Sequence, residues 1–172
     1  MKIIITSIAM LGILLPGMAQ NVKTTFQTSS HWKPTIDVRA DAVMVYGTGS
    51  SPQISFQERV DSWRKQGYTT HFMTGIAWGG YSDYFTGKWD GKQHMDEGQK
   101  DMKGDTIVHN PGTPYIVPTL NYLKFFKETQ IKPVIDAGIR EIFLEEPEFW
   151  AFAGYSESFK REWQDYYGFP WR

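Results

Sequence analysis

The chain has no cysteine at all. No disulfide framework can brace it, and no thiol is present to carry a lipid anchor or a thiolate nucleophile. Nor is there an excess of one charge: 18 basic residues face 19 acidic ones, for a net charge of −1. That balance excludes the basic field on which nucleic-acid binding depends. The sequence has no Gly-x-x-x-x-Gly-Lys loop, no Gly-x-Ser-x-Gly elbow and no His-Glu-x-x-His pair, which removes the commonest phosphate, serine-esterase and zinc-protease readings. Gly47-Thr-Gly49 follows an apolar run but lacks the third glycine of a dinucleotide loop. No apolar stretch is long enough for a comfortable membrane span.

The longest apolar run is N-terminal. Lys2 supplies a positive start, Ile3 to Leu15 form the apolar centre, and Pro16-Gly17-Met18-Ala19 offers small residues before Gln20. This pattern reads as a secretory signal over residues 1–19, with an N-terminal anchor helix as the alternative. Secretion, to the periplasm or the cell surface, is the expected localisation. After signal cleavage no stable membrane insertion is expected. Residues 20–40 are polar, with Thr and Ser clusters, and read as an extended leader. Residues 41–172 then read as one domain.

Within that domain, Ala42–Tyr46 is a short continuous apolar run of the kind buried in a parallel sheet. Phe56, Val60 and Trp63 recur at helical spacing. Ser55 and Glu58 make a capping box before them, and Gly67 a stop after them. Residues 68–74 are β-branched and aromatic and read as a second strand. Residues 75–115 form a long segment rich in Gly, Asp and aromatics. Loops of that length are functional or disordered, and Trp78, Tyr81, Tyr84, Phe85 and Trp89 argue against disorder. Pro118-Thr119 opens a helix ending at Gly138, with Pro133 predicting a kink or two consecutive helices. Residues 141–145 read as the third strand, and Ser156 caps a final helix with Phe159, Trp163 and Tyr166 on one face. The alternation of strands and helices implies parallel strands joined by right-handed crossovers.

The third strand runs into Glu145-Glu146-Pro147-Glu148-Phe149-Trp150. A strand end is rigid, and acid/base catalysis needs a carboxyl held in place. Like charges this close repel, which favours keeping a proton on one of them, as a general acid requires. The plain alternative is an exposed acidic turn capping the next helix. Pro147 should push the backbone of Glu146 towards extended geometry. As neighbours, Glu145 and Glu146 should point to opposite faces of a strand.

Glu145-Glu146-Pro147 resembles the Asn-Glu-Pro signature of retaining (β/α)8 glycoside hydrolases, in the large clan that includes cellulases and β-galactosidases. The longer pattern, from Glu145 to Trp150, through Gly154-Tyr155-Ser156 and Phe159 to Trp163, to Tyr166-Tyr167-Gly168, is similar to secreted glycosidase-like proteins of gut-type bacteria. The resemblance covers roughly residues 68–171. It implies an α/β fold forming part of a (β/α)8 TIM barrel, about three βα units after the signal peptide. It also implies hydrolysis of O-glycosyl bonds in poly- or oligosaccharide, with no cofactor and no metal. Glu146 matches the acid/base; Glu145 departs from the sugar-binding asparagine. In this reading Glu145 or Glu148 tunes the acid or holds a sugar hydroxyl, and Trp78, Tyr81, Trp89 and Trp150 offer stacking surfaces. His71 would line the same mouth, with a hydrogen-bonded core histidine as the alternative. Asp90 and His94 would bind sugar hydroxyls. Asp83, Asp96, Glu97 and His109 lie in the same loop, where an oxygen-rich calcium site is the competing use, though the spacing is not that of an EF-hand.

A closed barrel takes about 250 residues. The chain therefore reads as the first part of a longer product, an interrupted frame, or a subunit completed by association, without the second catalytic carboxylate. A non-catalytic carbohydrate-binding surface protein is the second reading.

Overall fold

The computed structural model describes residues 21–49, 54–79 and 81–172. Residues 1–19, expected to be a secretory signal, lie outside the described residues.

Four parallel strands form the main sheet: β1 (Thr25–Thr28), β2 (Ala42–Tyr46), β3 (Thr69–Gly75) and β6 (Ile142–Glu145), side by side in chain order. β1 lies within the stretch expected to be an extended leader and pairs it into the sheet. Its register pairs Phe26 with Val43, and Phe26 packs edge-on to Trp63 at 5.3 Å. One phenylalanine in a polar stretch gives no period that sequence reading could detect, yet its burial and the backbone ladder recruit the segment. Asp41 closes the join by accepting from the Lys23 and Thr24 amides and the Thr24 hydroxyl.

Helix α1 (Phe56–Arg64) is capped as its sequence dictates. Glu58 N–H donates to Ser55 Oγ at 3.2 Å, and Ser55 N–H donates to Glu58 Oε2 at 2.8 Å. Its Val60 and Trp63 are fully buried against Val43, Val45 and Phe72. Helix α3 (Leu120–Phe126) starts at Thr119, whose hydroxyl accepts from Tyr122 N–H. It passes through a π-helical turn, Lys127–Ile131, into α4 (Lys132–Asp136). Pro133 explains the break: it has no N–H for the carbonyl of Thr129. That carbonyl accepts instead from Thr48 Oγ1 at 2.9 Å.

Among the described residues the helical layer covers one face only. Val60 and Trp63 of α1 and Val134 of α4 share a core with Val43, Val45 and Phe72. Alternation along the strands places Gln27, Met44, Tyr46, His71, Met73, Phe143 and Glu145 on the opposite face. There Tyr46 and Phe143 are each 41% exposed. A parallel sheet wound on both sides would bury that face. β1 and β6 pair on one side only among the described residues.

The segment between β3 and α3 builds a second core. It contains α2 (Ser82–Phe85) and an antiparallel pair, β4 (Val108–Asn110) and β5 (Thr113–Pro114). Tyr81, Tyr84 and Phe85 pack against Tyr122, Phe125 and Phe126 of α3. α5 (Glu157–Tyr167) begins at Ser156, which accepts from Phe159 N–H. Trp163 stacks near Tyr167 at 4.3 Å, whereas Tyr166 is 82% exposed and does not share the packed face as expected. Among the described residues no helix is long and apolar enough to cross a membrane.

Candidate functional site

The carboxyl ends of β2, β3 and β6 open into a cavity of about 540 Å3. Its wall is mostly neutral: Gln27, Thr48, Thr74 and Gln130 supply polar groups, and Tyr46 and Trp78 supply rings. Among the described residues that line it, Glu145 is the only charged side chain. Ligand sites of open parallel sheets and barrels lie at this end of the strands.

The rim is held by Arg59, which projects from α1. Its guanidinium donates to the carbonyls of Ser29 at 2.8 Å, Tyr46 at 3.1 Å, Gly49 at 2.8 Å, and Gly47. These bonds fix the turn after β2. Thr48 then reaches across to Thr129 O and lies 3.1 Å from Gln130 Oε1.

The acidic turn divides its carboxylates. Glu145 closes β6, pairs in register with Gly75 and lines the cavity. Glu146 lies just beyond the strand, exposed, with φ +48°. This corrects the expectation of extended geometry before Pro147. The backbone turns left-handed as it leaves the strand, a conformation that costs a non-glycine residue about 1 kcal/mol or more and gathers at functional sites. Glu146 Oε2 accepts from Trp78 Nε1. Trp78 lies flat on His109, with centroids 3.8 Å apart and planes 4° apart. His109 Nδ1 is 3.2 Å from the Tyr115 hydroxyl. Burial first, then hydrogen bonding and charge from Glu148, hold that hydroxyl above its ordinary value. A stacked pair, Trp78 and His109, and an edge-on contact from His109 to Tyr115 thus connect the two acids that flank Pro147.

Gln99 pins the same turn from behind. It is fully buried. Its Nε2 donates to the carbonyls of Ile116 at 3.0 Å and Glu148 at 2.8 Å, and its Oε1 accepts from Trp150 N–H at 3.2 Å. The Trp150 ring meets Tyr115 edge-on at 5.6 Å and is 38% exposed.

Glu145, Glu146, Trp78, Glu148 and Trp150 therefore belong to one neighbourhood. Tyr81 borders the cavity but is 5% exposed and packs on Tyr122 and Phe125, so it is a core ring rather than a stacking surface. Trp89 packs on Phe125 and donates to Glu128 Oε2 at 3.1 Å, beside an adjoining cavity of about 430 Å3. His71 sits deeper on β3 than the cavity wall, 4% exposed and stacked on Phe143. This corrects its placement at the mouth.

His94 is also moved, while Asp90 stays exposed. His94 is 6% exposed, lies against Tyr84 at 4.2 Å, and contacts Asp90 Oδ1 at 3.1 Å and Glu97 Oε1 at 3.4 Å. Tyr84, Thr119 and Asn121 donate to Glu97. The network satisfies itself and locks the insertion onto α3, leaving His94 no free edge for a sugar. Among the described residues no group of three or more His, Asp or Glu is placed to hold a metal ion.

Sequence reading missed Gln99, Arg59, Tyr115, Thr48 and Gln130, and named His109 only among the polar groups of the long loop. Only Arg59 left a trace, as a charge beside Val60 on the apolar face of a helix. No family model, curated protein or solved structure matches the chain.

Proposed function

We propose that the chain is an exported carbohydrate-active protein, part of a (β/α)8 glycoside hydrolase, that takes a poly- or oligosaccharide at the strand-end cavity. The observation that carries this reading is the cavity itself. It has a neutral polar wall, aromatic faces, and a single acid, Glu145, at the end of β6. Sugar recognition uses amide and hydroxyl partners with ring faces for stacking, and glycoside hydrolysis needs carboxyl groups at the cleavage point. Strands placed in chain order with helices on one face are what a barrel wall requires.

In this reading Glu146 is the acid/base. Trp78 fixes its carboxylate, and the strained backbone aims it away from the strand axis. Glu145 holds a hydroxyl of the sugar inside the cavity. Hydrolysis also needs a second carboxylate, about 5 Å away for retention and somewhat farther for inversion. Glu146→Gln should lower turnover of a cleavable glycan by at least a hundredfold while binding is kept. Unchanged turnover would sink the assignment.

A second reading is non-catalytic glycan binding. It draws on the exposure of Glu146 and its pairing with an indole rather than a second acid. Glu146→Gln would then change nothing, while Trp78→Ala would abolish binding.

A further inference from the structure

The inner face and the two edges of the main sheet have a geometry of their own. Four parallel strands lie in chain order, β1 at one edge and β6 at the other, and neither pairs outward among the described residues. All their helical cover is on one side. An uncovered edge of a parallel sheet is a row of unpaired N–H and C=O groups and a liability in water. On β6 itself Phe143 is 41% exposed and Leu144 52%, one on each face of the edge strand. Leu120, 74% exposed, and Leu123, 47%, line a mainly apolar cavity of about 310 Å3 between α3 and the turn that follows β6. Apolar exposure of this extent marks an interface.

We propose that the occupant of this surface is a second copy of the chain. The two copies would be related by a two-fold axis parallel to the strands, with the β6 of each pairing with the β1 of the other. A two-fold along that axis keeps all strands parallel, and four strands from each copy make eight, the number that closes a barrel and leaves no edge. Pairing of β6 with a second β6 would be antiparallel and leave both β1 edges open.

The charges agree with the mixed pairing. At the amino-terminal end of the sheet Lys23 precedes β1 and Glu141 precedes β6, both in positions that alternate to the inner face; Glu141 is 65% exposed at its side chain and lies 3.2 Å from His71 Nε2 of its own chain, so the other copy's Lys23 would join that contact rather than meet an unpaired acid. Arg140 does not compete, because it turns back to the carbonyls of Ile135 and Ile139.

Closure would also complete the site. The two β6 strands would stand on opposite sides of one mouth, so each Glu145-Glu146 pair would face the other copy's pair across the shared cavity. This supplies the second carboxylate that glycoside hydrolysis needs. That last consequence rests on the glycosidase reading; the assembly does not.

The absence of native cysteine makes the test direct. Thr28→Cys on β1 and Leu144→Cys on β6 alternate to the same, helix-covered face of the sheet. Each variant of the full chain is purified, and the two are treated with a short bis-maleimide separately and mixed. Sedimentation equilibrium of the unmodified chain gives its mass. The proposal expects a dimer, and several-fold more cross-linked product in the mixture than in either variant alone. A monomer at the cross-linking concentration, or cross-linking confined to Leu144→Cys alone, would overturn it. A dimer with the mixed cross-link but no hydrolysis of any glycan would keep the assembly and remove the glycosidase reading.

Discussion

Replacing Gln99 by leucine removes one side chain and strands three backbone groups. The amide of Gln99 serves the carbonyls of Ile116 and Glu148 and the N–H of Trp150, at 3.0, 2.8 and 3.2 Å, from a fully buried position. Leucine fills much the same space, so the main loss is polar rather than a cavity. A buried backbone group left without a partner costs about 1–3 kcal/mol. The bond to Ile116 is buried and those to Glu148 and Trp150 are part-buried, so the three together, partly relieved by water and by relaxation of the turn, give a loss of roughly 3–5 kcal/mol. That is a large share of the roughly 5–15 kcal/mol that holds a domain together, and corresponds to a fall in melting temperature of about 10 °C. Urea unfolding followed by tryptophan fluorescence measures it. The emission of Trp150 should shift red in the folded baseline as its turn comes loose. Gln99→Glu should be at least as damaging, because it keeps the acceptor for Trp150 but turns a carboxylate onto two carbonyls. A loss below about 1 kcal/mol in Gln99→Leu would refute the view that this residue holds the acidic turn.

Arg59→Met should cost about 3 kcal/mol or more by leaving the carbonyls of Ser29, Tyr46, Gly47 and Gly49 without their shared donor, and should raise hydrogen exchange at Gly47 to Gly49. Glu146→Gly should stabilise the chain by about 1 kcal/mol in thermal melts, since φ +48° suits glycine, while abolishing the proposed proton transfer. Burial, chiefly, holds the hydroxyls of Tyr81, Tyr84 and Tyr122 above the ordinary tyrosine value. The folded chain thus grips these protons more tightly than the unfolded chain, so their contribution is intact below about pH 10 and is lost as the pH rises beyond it. Ultraviolet titration should show these tyrosinates appearing only together with unfolding.

Much of the α/β pattern was legible because its signals are local. The Ser55–Glu58 box, the Phe56-Val60-Trp63 spacing and the apolar run Ala42–Tyr46 each specify an element within a few residues. Pro133 announced a break, though only the structure shows the π-turn and the Thr48 hydroxyl that takes over the Thr129 carbonyl. β1 was illegible because its stability comes from pairing with β2 and from one partly buried ring, not from its own period. The site divides the same way. The acidic turn stands out as consecutive residues, but which acid enters the cavity depends on where β6 ends and on a left-handed turn that the following proline argued against. Gln99 and Glu148 are 49 positions apart and His109 is stacked on a distant indole, contacts that no spacing rule connects. His94 and Asp90 looked like ligands because polar side chains in a long loop are usually exposed. Here the loop folds into a second core and buries His94 beside it, in contact with Glu97 and with Asp90, which stays exposed.

The most direct measurement is retention of the chain on immobilised polysaccharides and oligosaccharides in affinity electrophoresis, with Trp78→Ala and Glu145→Gln run alongside. The account predicts that at least one glycan class retards the unsubstituted chain, and that both variants lose that retardation while keeping their melting curves. No retardation by any glycan, or equal retardation of all three proteins, would contradict the claim that the strand-end cavity is a carbohydrate site.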